Sequence, residues 1–165
     1  MKKLLFFPLL LLLIYSCNTQ QSSFPEEALN DSMKSLNGEE LPFADILEKH
    51  KGNIILIDVW ASWCPDCIKG LPALKQLQNE HKDVVYLFLS YDKTEEAWKK
   101  GIEKYDIQGE HYLITSKWKG GSFSKAIKLD WIPRYMVVDR KGKVVLFKAI
   151  EANDKKITTT IKSLE

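Results

Sequence analysis

Two cysteines separated by two residues, at the end of an apolar run, constrain this chain more than any other feature of its sequence. Residues 54–60 read Ile-Ile-Leu-Ile-Asp-Val-Trp, and Ala-Ser-Trp-Cys-Pro-Asp-Cys follows directly. A run so rich in β-branched and apolar residues is typical of a strand buried on both faces. Asp58 is its polar exception. The pattern predicts a buried central strand that ends just before Cys64 and Cys67.

Pro65 indicates that a helix begins immediately after Cys64. Proline suits the first helical position because its φ is fixed and its missing N–H would be unpaired there. Free N–H groups and the macrodipole at a helix N-terminus stabilise a thiolate, the nucleophile in disulfide exchange. We therefore expect Cys64 to attack substrate disulfides and Cys67 to resolve the mixed disulfide. The pair itself carries two electrons, so no cofactor is expected.

Other uses of a close cysteine pair find less support. A structural disulfide over so short a loop would add little stability. A zinc site needs about four ligands, and His50, His81 and His111 form no pair that would supply the other half. A copper-delivery protein of the Sco type needs a wider cysteine spacing, and a peroxiredoxin carries Thr or Ser where Ala61 stands. The sequence therefore predicts no metal site.

The first residues predict an export signal. Two lysines precede an apolar stretch, Leu4–Ile14, and Cys17 follows shortly after it. This arrangement is typical of a secretory leader and is too short to span a bilayer as a helix. It resembles the lipobox of bacterial lipoproteins, in which the leader is removed and the following cysteine, here Cys17, carries lipid. An ordinary secretory leader that is cut nearby is the alternative.

We divide the chain into a signal peptide over residues 1–16, a lipidated flexible tether over 17–38 and one folded domain over 39–165. The tether is predicted from its polar composition and weak periodicity. Removal of the leader would take away two of the 24 basic residues and leave 22 against 22 acidic ones. Such a balance gives no support for nucleic-acid binding. We expect an exported protein that faces the periplasm and is held to a bacterial membrane through Cys17.

The remaining pattern predicts strands that alternate with helices. Apolar residues recur at helical spacing after Cys67, and Pro72 is expected to bend that helix. Thr94 and Asp154 are placed to cap two later helices. An Asp-Arg-Lys-Gly-Lys turn at 139–143 predicts a hairpin near the end of the chain. Together these elements describe an α/β sandwich with a mixed sheet.

These features resemble the thioredoxin superfamily, and more narrowly its membrane-anchored, exported thiol-disulfide oxidoreductases of the TlpA and ResA type. The resemblance extends over Leu41–Leu164, nearly the whole predicted domain. It implies a thioredoxin-like three-layer sandwich with a mixed central β-sheet. The matching positions are the Trp-Ala-Ser-Trp-Cys-Pro-Asp-Cys stretch (Trp60–Cys67), Asp58 six residues before the first cysteine, Pro72, and Ile132-Pro133 followed by a strand and the basic turn.

The resemblance also implies the surroundings of the cysteines. Pro133 is expected to be cis and to lie against the pair, with the backbone of Ile132 offered to an extended substrate by β-augmentation. Trp63 is expected to flank the site as an apolar platform. Trp60 is assigned to the core, whereas Trp98, Trp118 and Trp131 are assigned to packing. A membrane electron donor of the DsbD or CcdA type would restore the reduced protein.

Asp58 is expected to act in catalysis, whereas Pro65, Asp66 and Arg134 are expected to tune the site. Desolvation of Asp58 on its apolar strand should raise its pKa and let it accept the proton of Cys67, unless it points to a polar edge. Asp66 replaces the Gly-Pro or Pro-Pro found between such cysteines and should compete with the Cys64 thiolate for the positive helix end, which favours a reductant. Arg134, where thioredoxins usually have Thr, is expected to offset this by lying near the pair.

The sequence is therefore interpreted as an exported thiol-disulfide oxidoreductase that reduces the disulfides of periplasmic proteins. Two alternatives stay open at this point. The same dithiol could act in the opposite direction, as an oxidase or isomerase. The fold could also serve as a peptide-binding module without turnover.

Overall fold

The structure is a computed structural model that describes residues 22–165, so the predicted leader and Cys17 lie outside the described residues. The helices and strands are, in chain order, α1 (Glu26–Leu29), β1 (Ser32–Ser35), β2 (Glu40–Pro42), α2 (Phe43–Lys49), β3 (Ile54–Trp60), α3 (Pro65–Glu80), β4 (Val84–Ser90), α4 (Glu95–Tyr105), β5 (Glu110–Ile114), α5 (Ser122–Ala126), β6 (Arg134–Val138), β7 (Val144–Ala149) and α6 (Lys155–Lys162). Within that range no helix has both the length and the apolarity that crossing a bilayer requires.

The strands form a single mixed sheet of seven in the order β2-β1-β5-β4-β3-β6-β7. All seven residues of β3 are buried. This strand runs parallel to β4 and antiparallel to β6. Because helices cover both faces of the sheet, the sequence of β3 is a continuous apolar run rather than an alternating one. The predicted buried central strand and mixed sheet are confirmed.

Helices cover both faces of the sheet. The connections from β3 to β4 and from β4 to β5 cross in the same direction, so the right-handed rule places α3 and α4 on one face. The side chain of His81, after α3, meets the carboxylate of Glu165 at 2.7 Å, which holds the end of α6 beside α3. On the other face, edge-on aromatic contacts of Phe43 with Phe24 (5.0 Å) and Phe123 (5.3 Å) join α1, α2 and α5. This is the predicted three-layer sandwich.

The flexible tether predicted over residues 17–38 is wrong for the part that the structure describes. β1 lies inside the sheet, where it pairs antiparallel with both β2 and β5. Phe24, Ala28 and Met33 are buried in the core. Phe24 precedes α1, and Ala28 and Met33 each lie in an element of four residues. These apolar side chains are too few to give a recognisable period, which is why the segment looked unstructured. The folded domain therefore begins well before residue 39.

Local signals located the longer helices correctly. The side chain of Thr94 accepts a hydrogen bond from the N–H of Ala97, and Asp154 accepts one from Lys156. α3 begins at Pro65 and ends at Glu80, as the spacing predicts. Pro72 lies within that span, and the bend expected there stays a prediction.

Candidate active site

The cysteine pair lies where the central strand passes into α3. Cys64 is the N-cap of α3, and its sulfur accepts a hydrogen bond from the N–H of Cys67 at 3.1 Å. Pro65 is the first residue of the helix, as predicted. The two cysteines are joined by a disulfide, with Cα atoms 5.3 Å apart. In the reduced protein the same N–H and the helix dipole are placed to stabilise a Cys64 thiolate.

Exposure alone does not tell the two sulfurs apart, because Cys64 is 3% and Cys67 2% exposed. Their positions do. Cys64 borders a surface depression of about 460 Å³, together with Trp63 and Ile68, and Cys67 does not border it. Cys64 is therefore the sulfur that an incoming disulfide reaches first.

The loop before β6 brings the predicted proline to the cysteines. The peptide bond between Ile132 and Pro133 is cis, as the resemblance implied. The sulfur of Cys64 lies 3.6 Å from the carbonyl oxygen of Ile132. The backbone of Ile132 thus lies next to the sulfur that would react.

Asp58 lies in the middle of β3 and faces α3. It is directly opposite Tyr135 on β6, and residues that are opposite on antiparallel strands share a face of the sheet. Tyr135 reaches α3, because a methyl group placed on Gly70 would lie 3.1 Å from its hydroxyl oxygen. Asp58 therefore points toward the helix that carries Cys67, and the alternative of a polar edge is excluded by its 3% exposure.

Burial raises the pKa of Asp58 well above the usual range of an aspartate. The cause is desolvation, which penalises the charged carboxylate. Among the described residues its Oδ1 has no hydrogen-bond partner, and neither does the hydroxyl of Tyr135. A carboxylate whose pKa is raised is a stronger proton acceptor than an ordinary aspartate.

One side of the cysteines is lined by aromatic rings. Trp63 is 51% exposed and packs edge-on against Trp118, with ring centroids 5.7 Å apart. Trp118 in turn meets Tyr91 at 5.1 Å. The indole N–H of Trp63 donates to the carbonyl oxygen of Tyr91 at 3.4 Å. Trp63 is thus a fixed platform beside Cys64, as expected.

The assignment of Trp131 to packing is wrong. Its side chain is 62% exposed, two residues before the cis proline. Its indole N–H donates to Oδ2 of Asp66 at 3.3 Å. Asp66 lies in the exposed first turn of α3, as predicted, and thus has a partner that the sequence did not reveal.

Arg134 does not lie beside the cysteines, and the expectation that it offsets Asp66 is wrong. Arg134 is 1% exposed, and its guanidinium donates to the carbonyl of Ile127 and pairs with Asp130. The reason is the alternation of side chains along a strand. Because Tyr135 faces α3, its neighbour Arg134 faces the opposite layer of the sandwich. There it contacts Ile127 and Asp130, which follow α5 in the chain.

Sequence reasoning missed Asp92, which holds the loop before Cys64. Its carboxylate accepts hydrogen bonds from the N–H and the hydroxyl of Ser62, and from the hydroxyl of Ser90. Ser62 lies two residues before Cys64, so these hydrogen bonds hold in place the loop that leads from β3 to Cys64. A signal did exist. Asp92 follows β4, and the carboxyl ends of parallel neighbours such as β3 and β4 meet at one edge of a sheet.

A mixed sheet whose central strand leads into a cysteine pair beside a cis proline defines the class of thioredoxin-fold redox proteins. The family model for thioredoxin-like proteins matches residues 52–144. The chain belongs to this family, and the resemblance to its ResA type is confirmed by the relatives that follow.

The thiol-disulfide oxidoreductase ResA of Bacillus thuringiensis subsp. konkukian is 26% identical over 133 residues, which cover 79% of this chain and 72% of the relative. The thioredoxin-like protein YneN of Bacillus subtilis is 33% identical over 125 residues, with coverage of 71% and 66%. Among solved structures, the thioredoxin domain of a thiol-disulfide oxidoreductase from Bacteroides vulgatus superposes with a TM-score of 0.71 at 26% identity. That superposition covers 88% of this chain and 99% of the solved domain.

Proposed function

We propose that this thiol-disulfide oxidoreductase works as a reductase of protein disulfides on the outer side of a bacterial membrane. The reducing direction rests on Asp66, whose carboxylate in the first turn of α3 opposes a thiolate at the helix end, and the exchange chemistry rests on one observation. The sulfur of Cys64 caps α3, accepts the N–H of Cys67 and lies 3.6 Å from the carbonyl of Ile132. A thiolate is stabilised there, next to backbone along which an extended substrate can lie.

The cycle begins with the reduced protein. The Cys64 thiolate attacks one sulfur of a substrate disulfide, the substrate S–S bond breaks, and the leaving thiolate takes up a proton. The Cys67 thiol then transfers its proton to Asp58 and attacks the sulfur of Cys64. The bond between Cys64 and the substrate breaks, and the second substrate sulfur leaves as a thiolate that takes the proton from Asp58. The substrate has then gained two electrons and two protons, and the protein holds the Cys64–Cys67 disulfide.

Substrate contacts would come from the surface around the pair. Trp63 offers an apolar platform, and Ile132 and Pro133 offer an edge for an extended chain. No cofactor is required, because the electrons are stored in the dithiol. A membrane donor of the DsbD or CcdA type would reduce the disulfide again, and export followed by lipid attachment at Cys17 would place the protein beside that donor.

The reduction potential of the Cys64–Cys67 couple tests the direction of electron flow. It is measured by equilibration with glutathione or dithiothreitol buffers, on the chain without its predicted leader. We expect a value of about −270 mV, as for thioredoxin. A value of about −120 mV would make the protein an oxidant and reject the reductase.

Turnover with insulin tests the alternative of a binding module. A reductase accelerates insulin reduction by dithiothreitol, whereas a module that only binds peptides gives no rate beyond that of the added dithiol. The Cys64→Ser variant is the matched control, because it keeps the surface around the site and removes the nucleophile.

A further inference from the structure

A second cavity is bordered by Asp66, which lies between the two cysteines in the chain, and by the cis proline, whereas Trp63 does not border it. Its volume is about 420 Å³, and it opens between the first turns of α3, the cis proline and the loop from β7 to α6. Trp131, Ile150 and Pro133 supply its apolar walls, and Asp66 and Lys69 lie on the α3 side. The cavity is therefore continuous with the proposed substrate edge, because Pro133 belongs to both.

Large apolar side chains are exposed around this site to an unusual degree. Trp131 is 62% and Ile150 51% exposed, and Trp63 across the cysteines is 51% exposed. In the described part of the chain, Leu36 is the one other large apolar side chain with such exposure. Single exposed apolar residues are ordinary, whereas a group of them around a reactive centre marks a surface that a partner covers.

The position of Trp131 is tied to the redox motif itself. Its indole N–H donates to Asp66, the residue between Pro65 and Cys67. This bond favours the orientation in which the indole lines the cavity. A wall that is already fixed costs less entropy when a ligand binds against it.

We infer that Trp131 and Ile150 form a selectivity pocket for a large apolar side chain, above all an aromatic one, that lies within two residues of the substrate cysteine. The inference rests on the proposed function and names its substrate class: polypeptide segments in extended form with an apolar residue beside the cysteine. Asp66 acts as a positioning residue, through Trp131.

The dimensions agree with this assignment. An extended chain advances about 3.3 Å per residue, so a side chain one or two positions from a sulfur attached to Cys64 can reach past Pro133. A volume of about 420 Å³ holds one aromatic side chain with room to spare. It does not hold a folded element. A single side chain that projects from an extended segment therefore fits the site.

Peptide substrates test the inference directly. Each peptide carries one cysteine in a disulfide with a chromogenic thiol, and a single Phe or Ser is moved from two positions before the cysteine to two positions after it. We expect kcat/KM to be about tenfold higher for Phe than for Ser at one of these positions, the size of effect that an apolar pocket gives.

Variants then assign the selectivity to the pocket. Trp131→Ala should bring the Phe-to-Ser ratio close to one, while Trp131→Phe should keep most of it. Leu36→Ala is the matched control, because Leu36 is similarly exposed but does not line the cavity; its ratio should equal that of the wild type. A ratio that persists in Trp131→Ala would overturn the inference.

A pair of substitutions separates positioning from charge at Asp66. Asp66→Asn removes the charge but keeps an oxygen that can accept the indole N–H, so the Phe-to-Ser ratio should stay within about twofold. Asp66→Ala removes the acceptor, and the ratio should fall about threefold or more. Equal ratios in both variants would show that Asp66 does not position Trp131.

Different results would reject the pocket and the proposed function. If the wild type reduces Phe and Ser peptides with equal kcat/KM at every position, the pocket is rejected and the reductase stands. If it reduces neither peptide, the proposed function is rejected together with the inference that rests on it.

Discussion

Replacing Asp58 by Asn should stabilise the oxidised protein at neutral pH and remove one component of its pH dependence. Asp58 is buried, and its Oδ1 lacks a hydrogen-bond partner among the described residues. Burial raises its pKa well above the usual value. Asparagine has nearly the same shape but cannot ionise, so it avoids the cost of a buried charge.

The sign and size of the effect follow from proton linkage. Below the ordinary pKa of an aspartate, Asp58 is protonated in both the folded and the unfolded protein, and it causes no loss of stability. As the pH rises, the unfolded chain releases this proton first. The folded protein then loses up to about 1.4 kcal/mol of unfolding free energy per pH unit. The loss stops once the pH exceeds the raised pKa of Asp58 in the folded protein.

Urea unfolding of both proteins between pH 4 and 9, with the disulfide intact, measures the difference. The gain of Asp58→Asn should grow with pH and then level off, with no change in m. Asp92→Asn is the matched control. Asp92 is also buried, but it accepts bonds from Ser62 and Ser90, so this variant should lose about 1 to 3 kcal/mol. Parallel stability curves for Asp58→Asn and wild type would refute the desolvation argument.

Three further outcomes are expected. Asp58→Asn should leave the fold intact and slow the release of mixed disulfides, as followed by quenched mass spectrometry, and an unchanged release rate would reject Asp58 as the proton acceptor. Asp66→Ala should lower the pKa of Cys64, because the carboxylate opposes a thiolate at the same helix end. Thiolate absorbance near 240 nm reports that pKa, and an unshifted titration would contradict the argument. Gly101→Ala should destabilise the protein by about 1 to 3 kcal/mol, because the new methyl group would lie 2.5 Å from Cβ of Ser62. Thermal unfolding measures this loss, and a variant as stable as wild type would show that the loop moves freely.

The parts of the fold that were predicted correctly depend on short stretches of sequence. These signals are local, because each can be recognised within a few residues. They are the apolar run before Cys64, the proline at the start of α3, and the caps Thr94 and Asp154. Local signals also place the two cysteines at a helix N-terminus, which is the core of the chemistry. The resemblance to a known family then supplied the cis proline, which no local pattern would have indicated.

The parts that were missed depend on contacts between distant segments. Trp131 and Asp66 are 65 residues apart in the chain, and nothing near either one predicts their hydrogen bond. Arg134 was placed by analogy of position, although alternation along β6 sends its side chain to the opposite layer. The sheet position of β1 was missed for the same reason, because its partners lie far along the chain.

The pairing of β1 with β5 has a consequence for solubility. β5 contains the apolar segment Tyr112–Ile114, and β1 covers its backbone on the side away from β4. The outermost strand on that side of the sheet is then β2, three residues long, with exposed Glu40 and Pro42. A strand that is short, charged and interrupted by proline is a poor template for another chain. Proteolysis within the first strands would instead uncover the backbone of β5, and copies of the protein could then stack edge to edge into aggregates.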